Sequence, residues 1–239
     1  MNIRHWPSYA PESAVRAIPL CLAIWAVAGI SAFAITTNEA DTVFNSYATA
    51  YYSSSGTNGY FKNDQAGGTA SFWMQAEEIE CVIDAYELTS NANHKVMVVN
   101  LLNGFAKHNG TDWSSNIYND DCMWASIAFA RGYLACGNPR FKDIARWNFD
   151  MVFARAWDTK LGGGLYWTTD NRSKNACVND PGGIAAGLLY QICGDASYLA
   201  KAGFIPGPRP TIRAHSSAWP ISWGRRMTRC WRRIIPGIT

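Results

Sequence analysis

Hydrophobic positions recur every three or four residues through most of the middle of this chain, a spacing that predicts a succession of α-helices. Residues 71–89 carry the clearest pattern, with one apolar stripe and one acidic stripe. The remaining predicted helices cover residues 41–54, 95–108, the apolar part of 117–137, 139–156, 181–192, and a segment beginning at 196–202. Residues 60–68 are predicted to be a loop. Because alternating strand patterns are almost absent, the sequence predicts an all-α domain of stacked helical hairpins.

The same periodicity assigns side chains to the inside or the outside of the predicted helices. Val96, Leu134 and Trp147 fall on apolar stripes and are expected to face inward. Glu80 falls on the acidic stripe of residues 71–89, and is therefore expected to face solvent. His94 and His108 flank a helix and are predicted to be surface residues.

Two neighbouring aspartates, Asp120 and Asp121, follow Asn119 where residues 117–137 change from polar to apolar. One interpretation is helix capping, because Asp and Asn accept the free amide hydrogens of a first turn. A calcium site is a weaker interpretation, since the regular spacing of an EF-hand loop is missing. A cap needs only one acid, however, and a second beside it adds like-charge repulsion.

The third interpretation for this acid pair, Asp120 and Asp121, is catalysis. Adjacent Cα atoms are about 3.8 Å apart, so two such side chains could reach the separation of about 5–5.5 Å used in retaining glycoside hydrolysis. Their repulsion would separate the two pKa values, leaving one acid protonated and the other ionised. The spacing permits this chemistry and leaves the capping interpretation open.

Composition adds a second indication without deciding between alternatives. The chain has 239 residues, including 11 Trp, 11 Tyr and 10 Phe, which is enough for one domain with a proper core. Abundant aromatic residues with modest charge suit either a large helical core or a carbohydrate cleft, where flat rings stack on sugars.

Charge is distributed unevenly along the chain. Residues 203–239 contain seven arginines, five prolines and no acidic residue; removing those seven charges from the total of +3 leaves −4 for the rest. The main body is mildly acidic, so nucleic-acid binding is not expected of it. The last 37 residues are predicted to be an irregular, disordered basic tail.

The N-terminal residues 1–34 have the features of a targeting segment. Arg4 and Arg16 precede an apolar run from Ile18 to Ala34 that ends in an A-x-A pattern, with a cleavage position before Ile35. We therefore expect a secreted or cell-surface protein. Alternatively, an uncleaved signal anchor would attach the protein to a membrane.

The seven cysteines show neither zinc-finger nor thioredoxin spacing. Five of them lie between residues 81 and 193, with Cys21 before and Cys230 after. Two interpretations remain open for these cysteines: buried free thiols, or a disulfide formed after export.

Four blocks together resemble glycoside hydrolase family 76, the α-1,6-mannanases and their fungal cell-wall relatives. They are Phe72-Trp73-Met74-Gln75-Ala76-Glu77 with Ile83-Asp84-Ala85-Tyr86, Tyr118-Asn119-Asp120-Asp121-Cys122-Met123-Trp124-Ala125, Gly162-Gly163-Gly164-Leu165-Tyr166-Trp167, and Lys174-Asn175-Ala176. Any one block is weak, whereas four in this order are fairly specific. The resemblance extends from about residue 41 to residue 202.

This resemblance implies an (α/α)6 barrel that hydrolyses α-1,6-linked mannose internally and with retention, or that carries out a related transglycosylation on cell-wall mannan. Asp120 matches the family's nucleophile and Asp121 its general acid/base, although the order could be reversed. No metal or organic cofactor is implied. The residues implied in substrate binding are Trp73, Glu77, Tyr118, Asn119, Trp124, Tyr166, Trp167 and Asn175.

The sequence departs from the family in length. Only about half of the six hairpins of the barrel can be counted before residue 202, so residues 35–202 are expected to form a partial domain. Residues 203–239 resemble out-of-frame or unspliced translation, with a basic arm for anionic surfaces as the alternative. A second functional hypothesis follows: an inactive helical module that binds mannan or a protein partner.

Overall fold

The structure is a computed structural model, and it describes residues 35–204. That part of the chain is mostly helical, with three short strands between the first two helices and one 3-10 turn, Lys160–Gly162. The helices are α1 Thr37–Tyr51, α2 Phe72–Thr89, α3 Ala92–Asn109, α4 Asn119–Cys136, α5 Pro139–Ala156, α6 Ala176–Cys193 and α7 Ala196–Phe204. The strands are β1 Tyr52–Ser55, β2 Asn58–Asp64 and β3 Gly67–Thr69.

The chain reverses direction between α2 and α3 and between α4 and α5. Each connection is short and carries residues that cap the helix ends. Helix α2 ends at Ser90 in the left-handed region (φ 55°), and the Asn91 side chain then caps α3 by accepting from the amide of Asn93. Asn138 caps α5 in the same way, and Pro139 occupies its first turn. Two residues between helices make each pair an antiparallel hairpin.

Helix α4 lies in the middle of the described fold, and packs against α2, α5 and α6. The beginnings of α2, α4 and α6 lie at one end of the molecule. Asn119 in α4 and Asn179 in α6 bind the neighbouring backbone carbonyls of Tyr166 and Leu165. The ring of Phe72, at the start of α2, lies 5.5 Å from that of Trp113, just before α4. We call this end, where the three helices begin, the helix-start face.

The helical prediction is confirmed, and the architecture agrees with an incomplete barrel of helical hairpins. The prediction of a loop over residues 60–68 was wrong, because β1, β2 and β3 form a three-stranded antiparallel sheet. Tyr52 pairs with Phe61, and Lys62 with Thr69. The sheet depends on a distant contact, since β2 packs against α3 and buries Phe61. A short strand supported in this way has little local signal.

Several side chains also face a different way from the sequence prediction. Val96, Leu134 and Trp147 are exposed, by 57%, 45% and 60%. Glu80 is buried, as is His94, whose ring nitrogens lie 3.1 Å from Thr89 Oγ1 and 3.3 Å from Asn45 Oδ1. Polar partners on neighbouring elements compensate the burial of both groups, and helical periodicity alone does not reveal such partners.

The five cysteines within residues 35–204 are all free thiols. None of the helices in that range is long and apolar enough to cross a membrane. Cys21 and Cys230, the predicted leader, and the basic tail from residue 205 onward lie outside the described residues.

Candidate active site

The acid pair occupies the first turn of α4, at the helix-start face. The N-cap position belongs to Tyr118, which makes no side-chain capping hydrogen bond. Neither carboxylate is therefore the N-cap residue, although the positive end of the helix dipole favours negative charge at both positions.

Both carboxyl groups are half-buried. Burial raises the pKa of Asp120, while the Trp167 side chain and the amides of Asp121 and Asp120 act in the opposite direction through hydrogen bonds. Asp120 Oδ1 is buried and has no hydrogen-bond partner within residues 35–204.

Burial also raises the pKa of Asp121, and the charge of Asp120 adds to the rise. Asn116 opposes it, because its Nδ2 donates to Asp121 Oδ2 at 3.2 Å. The two acids thus differ in their hydrogen-bond donors, and the charge of one acts on the other.

Two exposed aromatic rings lie next to the acid pair. The segment 167–169 runs antiparallel to residues 117–119, with the amide of Asn119 donating to the carbonyl of Trp167 at 2.8 Å. The rings of Tyr118 and Trp167 are consequently 5.7 Å apart, and the two residues are 42% and 37% exposed. Together they form an aromatic surface beside the carboxylates, of a kind suited to stacking on a sugar.

The loop that carries Trp167 is held by a buried lysine. Lys174 Nζ donates to the side chain and carbonyl of Asp158 and to the carbonyl of Lys160, and it lies 4.5 Å from the centre of the Tyr166 ring. The glycine triplet 162–164 has φ values of 85°, 90° and 102°, which only glycine adopts without strain. The triplet therefore lets the backbone of this loop adopt its observed path.

The other sequence-predicted residues are distributed over the same face or one turn inside it. Trp73 lies in the first turn of α2 and is 37% exposed, and Trp124 is half-buried against the core. Burial raises the pKa of Glu77 to about 7, with Asp84 adding to the rise and Arg131 opposing it.

Three of the sequence-predicted substrate residues also have structural contacts. Asn175 caps α6 by accepting from the amide of Val178. Asn119 is fully buried between the carbonyl of Tyr166 and the guanidinium of Arg155. Tyr166 is 6% exposed, and its hydroxyl donates to Asp158 at 3.3 Å. Asn119 and Tyr166 are thus buried and hydrogen-bonded within the protein around the acid pair. The resemblance had implied that both would contact the sugar.

Sequence reasoning did not identify Asn116, Arg155 and Asn179 as site residues. Arg155 lies 36 residues after Asn119, and its Nε donates to Asn119 Oδ1 at 2.7 Å. Asn179 holds Leu165 through two hydrogen bonds, of 2.8 and 3.1 Å. Only for Asn116 does the sequence offer a signal, because it is a polar residue just before the acid pair.

No group of three or more His, Cys, Asp or Glu side chains within residues 35–204 is arranged to hold an ion.

The chain is similar to known proteins in sequence and in fold. Residues 34–205 match glycosyl hydrolase family 76. A search of curated proteins gave no match. The α-1,6-mannanase from Salegentibacter sp. HEL1_6 is 30% identical, with a TM-score of 0.62, over 71% of this chain and 49% of that one. The chain thus spans about half the length of this relative.

A second structure of the Salegentibacter mannanase is an inactive variant, with two consecutive aspartates changed to asparagine, in complex with α-1,6-mannotriose. Its identity is 29%, its TM-score 0.62, and the coverage 71% and 49%. A D-mannose isomerase has a TM-score of 0.55 at 16% identity over 69% of this chain and 51% of its own, a likeness of fold alone. The family match covers most of the chain, and therefore the protein belongs to glycosyl hydrolase family 76.

Proposed function

We propose that this protein is a retaining glycoside hydrolase that cleaves α-1,6-linked mannan within the chain. The observation that carries the proposal is the acid pair on the first turn of α4, half-buried beside the exposed rings of Tyr118 and Trp167. The relative that was made inactive by changing two consecutive aspartates, and that holds α-1,6-mannotriose, supports this assignment.

Asp120 is the nucleophile in this proposal and Asp121 the general acid/base. The Asp120 carboxylate attacks the anomeric carbon while Asp121 gives its proton to the departing glycosidic oxygen. Asp121 then takes a proton from water, whose oxygen displaces Asp120 and restores the anomeric configuration. Burial raises the pKa of both acids, while hydrogen bonds to Asp120 oppose that rise and the charge of an ionised Asp120 favours a proton on Asp121.

Sugar rings would stack on Tyr118, Trp167 and Trp73, with Glu77, Trp124 and Asn175 as further contacts. Transglycosylation differs only in the acceptor, since a mannan hydroxyl would replace water in the second step. The leader-like residues 1–34 support secretion or display at the cell surface, where cell-wall mannan would be the substrate.

The experiment is reducing-sugar release from linear α-1,6-mannan by wild type, Asp120→Asn and Asp121→Asn. We expect no release from Asp120→Asn, and a loss of about 10²–10⁴-fold for Asp121→Asn, the usual contribution of general acid–base catalysis. Asp143→Asn, an exposed acid on α5, is the matched control and should retain wild-type activity.

Two further measurements test the roles within the pair. An aryl mannoside with a good leaving group needs no proton, so Asp121→Asn should still form the glycosyl-enzyme, whereas Asp120→Asn should not. The opposite result would exchange the roles. NMR of the first product anomer should show the α configuration, and a β product would contradict retention.

The second candidate function is an inactive mannan-binding module, for which the exposed rings of Tyr118 and Trp167 would supply the sugar contacts. Tryptophan fluorescence titration with α-1,6-mannotriose separates the two. Binding by a folded wild type that releases no sugar would favour the module, and binding together with release would favour the enzyme.

A further inference from the structure

We propose that Arg155 is a positioning residue for the acid pair, and that it acts on Asp121 through Asn116. This inference rests on the proposed function for its kinetic consequences only. Its structural part concerns the orientation and protonation of Asp121 and can be tested without any turnover.

The guanidinium of Arg155, in the last turn of α5, binds the segment 114–119 at three points. Its Nη1 donates to the carbonyl of Ser114 at 2.8 Å, its Nη2 to the carbonyl of Asn116 at 2.7 Å, and its Nε to Asn119 Oδ1 at 2.7 Å. A planar guanidinium offers donors in a fixed fork, and one cation can therefore set the course of a whole segment.

Asn116 passes this constraint to the acid. Its Oδ1 accepts from the backbone amide of Tyr118 at 2.9 Å. Its backbone amide donates to the carbonyl of Trp113, also at 2.9 Å. These two hydrogen bonds fix the backbone and the side-chain amide plane of Asn116. Its Nδ2 therefore points at Asp121 and donates to Oδ2 at 3.2 Å. Arg155 thus fixes the amide side chain that donates to Asp121.

Geometry rather than charge carries this effect. Arg155 forms no ion pair with a carboxylate within residues 35–204, and its direct electrostatic influence falls on Cys122, whose Sγ lies 3.9 Å from Nη2. Among the described residues, the titratable groups that interact electrostatically with Asp121 are Asp120 and Cys122 of α4, and Arg155 of α5 acts on Cys122. A lysine at position 155, which has the same charge but a different shape, should therefore not replace the positioning effect of the arginine.

The kinetic test uses Arg155→Lys, which keeps the charge and loses the fork. We expect kcat on α-1,6-mannan to fall about tenfold, the effect of one hydrogen bond, with KM nearly unchanged. The alkaline limb of the pH–rate profile should move to higher pH, because a donor to ionised Asp121 is weakened. Arg140→Lys, at the other end of α5, is the control and should change neither.

The second test is a double-mutant cycle read by NMR titration of the Asp121 carboxyl carbon. Asn116→Ala and Arg155→Lys should each raise the midpoint, and the double variant should titrate like Asn116→Ala alone, since both act along one path. Additive shifts, or an unchanged midpoint in Arg155→Lys, would overturn the proposal.

The two proposals can fail separately. If wild type releases no sugar but the cycle is non-additive as described, the proposed function fails and the positioning role stands. If wild type is active and Arg155→Lys matches it in kcat, pH profile and Asp121 midpoint, the positioning role fails and the function stands.

Discussion

Replacement of Arg131 by methionine should destabilise the protein in a pH-dependent way. Arg131, on α4, donates to Glu80 at 3.1 Å, Asp84 at 2.6 Å and Glu87 at 3.0 Å, all on α2. Burial acts to lower the pKa of Arg131, but its acidic partners raise it overall, so the guanidinium remains charged.

The magnitude follows from the burial of each partner. Asp84 and Glu87 have side chains 54% and 60% exposed, so each pair contributes at most about 1 kcal/mol. The Glu80 side chain is 4% exposed, and removing the partner of a buried charge costs about 3–5 kcal/mol. Arg131→Met should therefore lower the free energy of unfolding by about 3–5 kcal/mol where Glu80 is ionised.

The pH dependence has a definite sign. Burial raises the pKa of Glu80 to about 8, although Arg131 opposes the rise. The folded state thus binds this proton more tightly than the unfolded state, and the contribution of Glu80 to stability falls as pH rises from 4.5 to about 8. Without Arg131 the pKa of Glu80 is higher still, so the fall continues to higher pH at the same slope. The difference between wild type and variant should consequently be larger at about pH 9, where wild-type Glu80 is ionised, than at pH 5.

Urea unfolding followed by tryptophan fluorescence at both pH values measures the effect. Asp84→Asn, which changes only an exposed partner of the same arginine, is the control and should cost less than about 1 kcal/mol. An equal loss for Arg131→Met at both pH values would refute the reasoning.

Two further substitutions test how the fold supports the site. In Gly104→Ala, the new Cβ would lie 1.9 Å from the backbone oxygen of Gly59, so we expect the free energy of unfolding in urea to fall by about 1–3 kcal/mol or more. Gly183→Ala, in α6, is the control: its Cβ meets open space, and the change should be neutral or stabilising. In Asn179→Ala, the buried amide and carbonyl of Leu165 lose their partner, at a cost of about 1–3 kcal/mol. Faster proteolysis of residues 157–175 should accompany that loss, and unchanged cleavage would contradict a role for Asn179 in holding the loop.

The sequence alone predicted the helices well, because each is long enough for its apolar stripe to repeat several times. Helix α5 has the predicted bounds, Pro139 to Ala156, set by the Asn138 cap and the proline that follows it. The acid pair was also found at a helix start, since polar residues before an apolar run are a local signal.

What the tertiary structure decided is which distant groups meet. Nothing near Arg155 in the sequence indicates that it binds residues 114–119, and nothing near Glu80 indicates an arginine 51 positions later. The sheet over residues 52–69 likewise depends on α3. Periodicity reports only which side of an element is apolar, whereas buried charges and short strands are stabilised by partners that folding brings together.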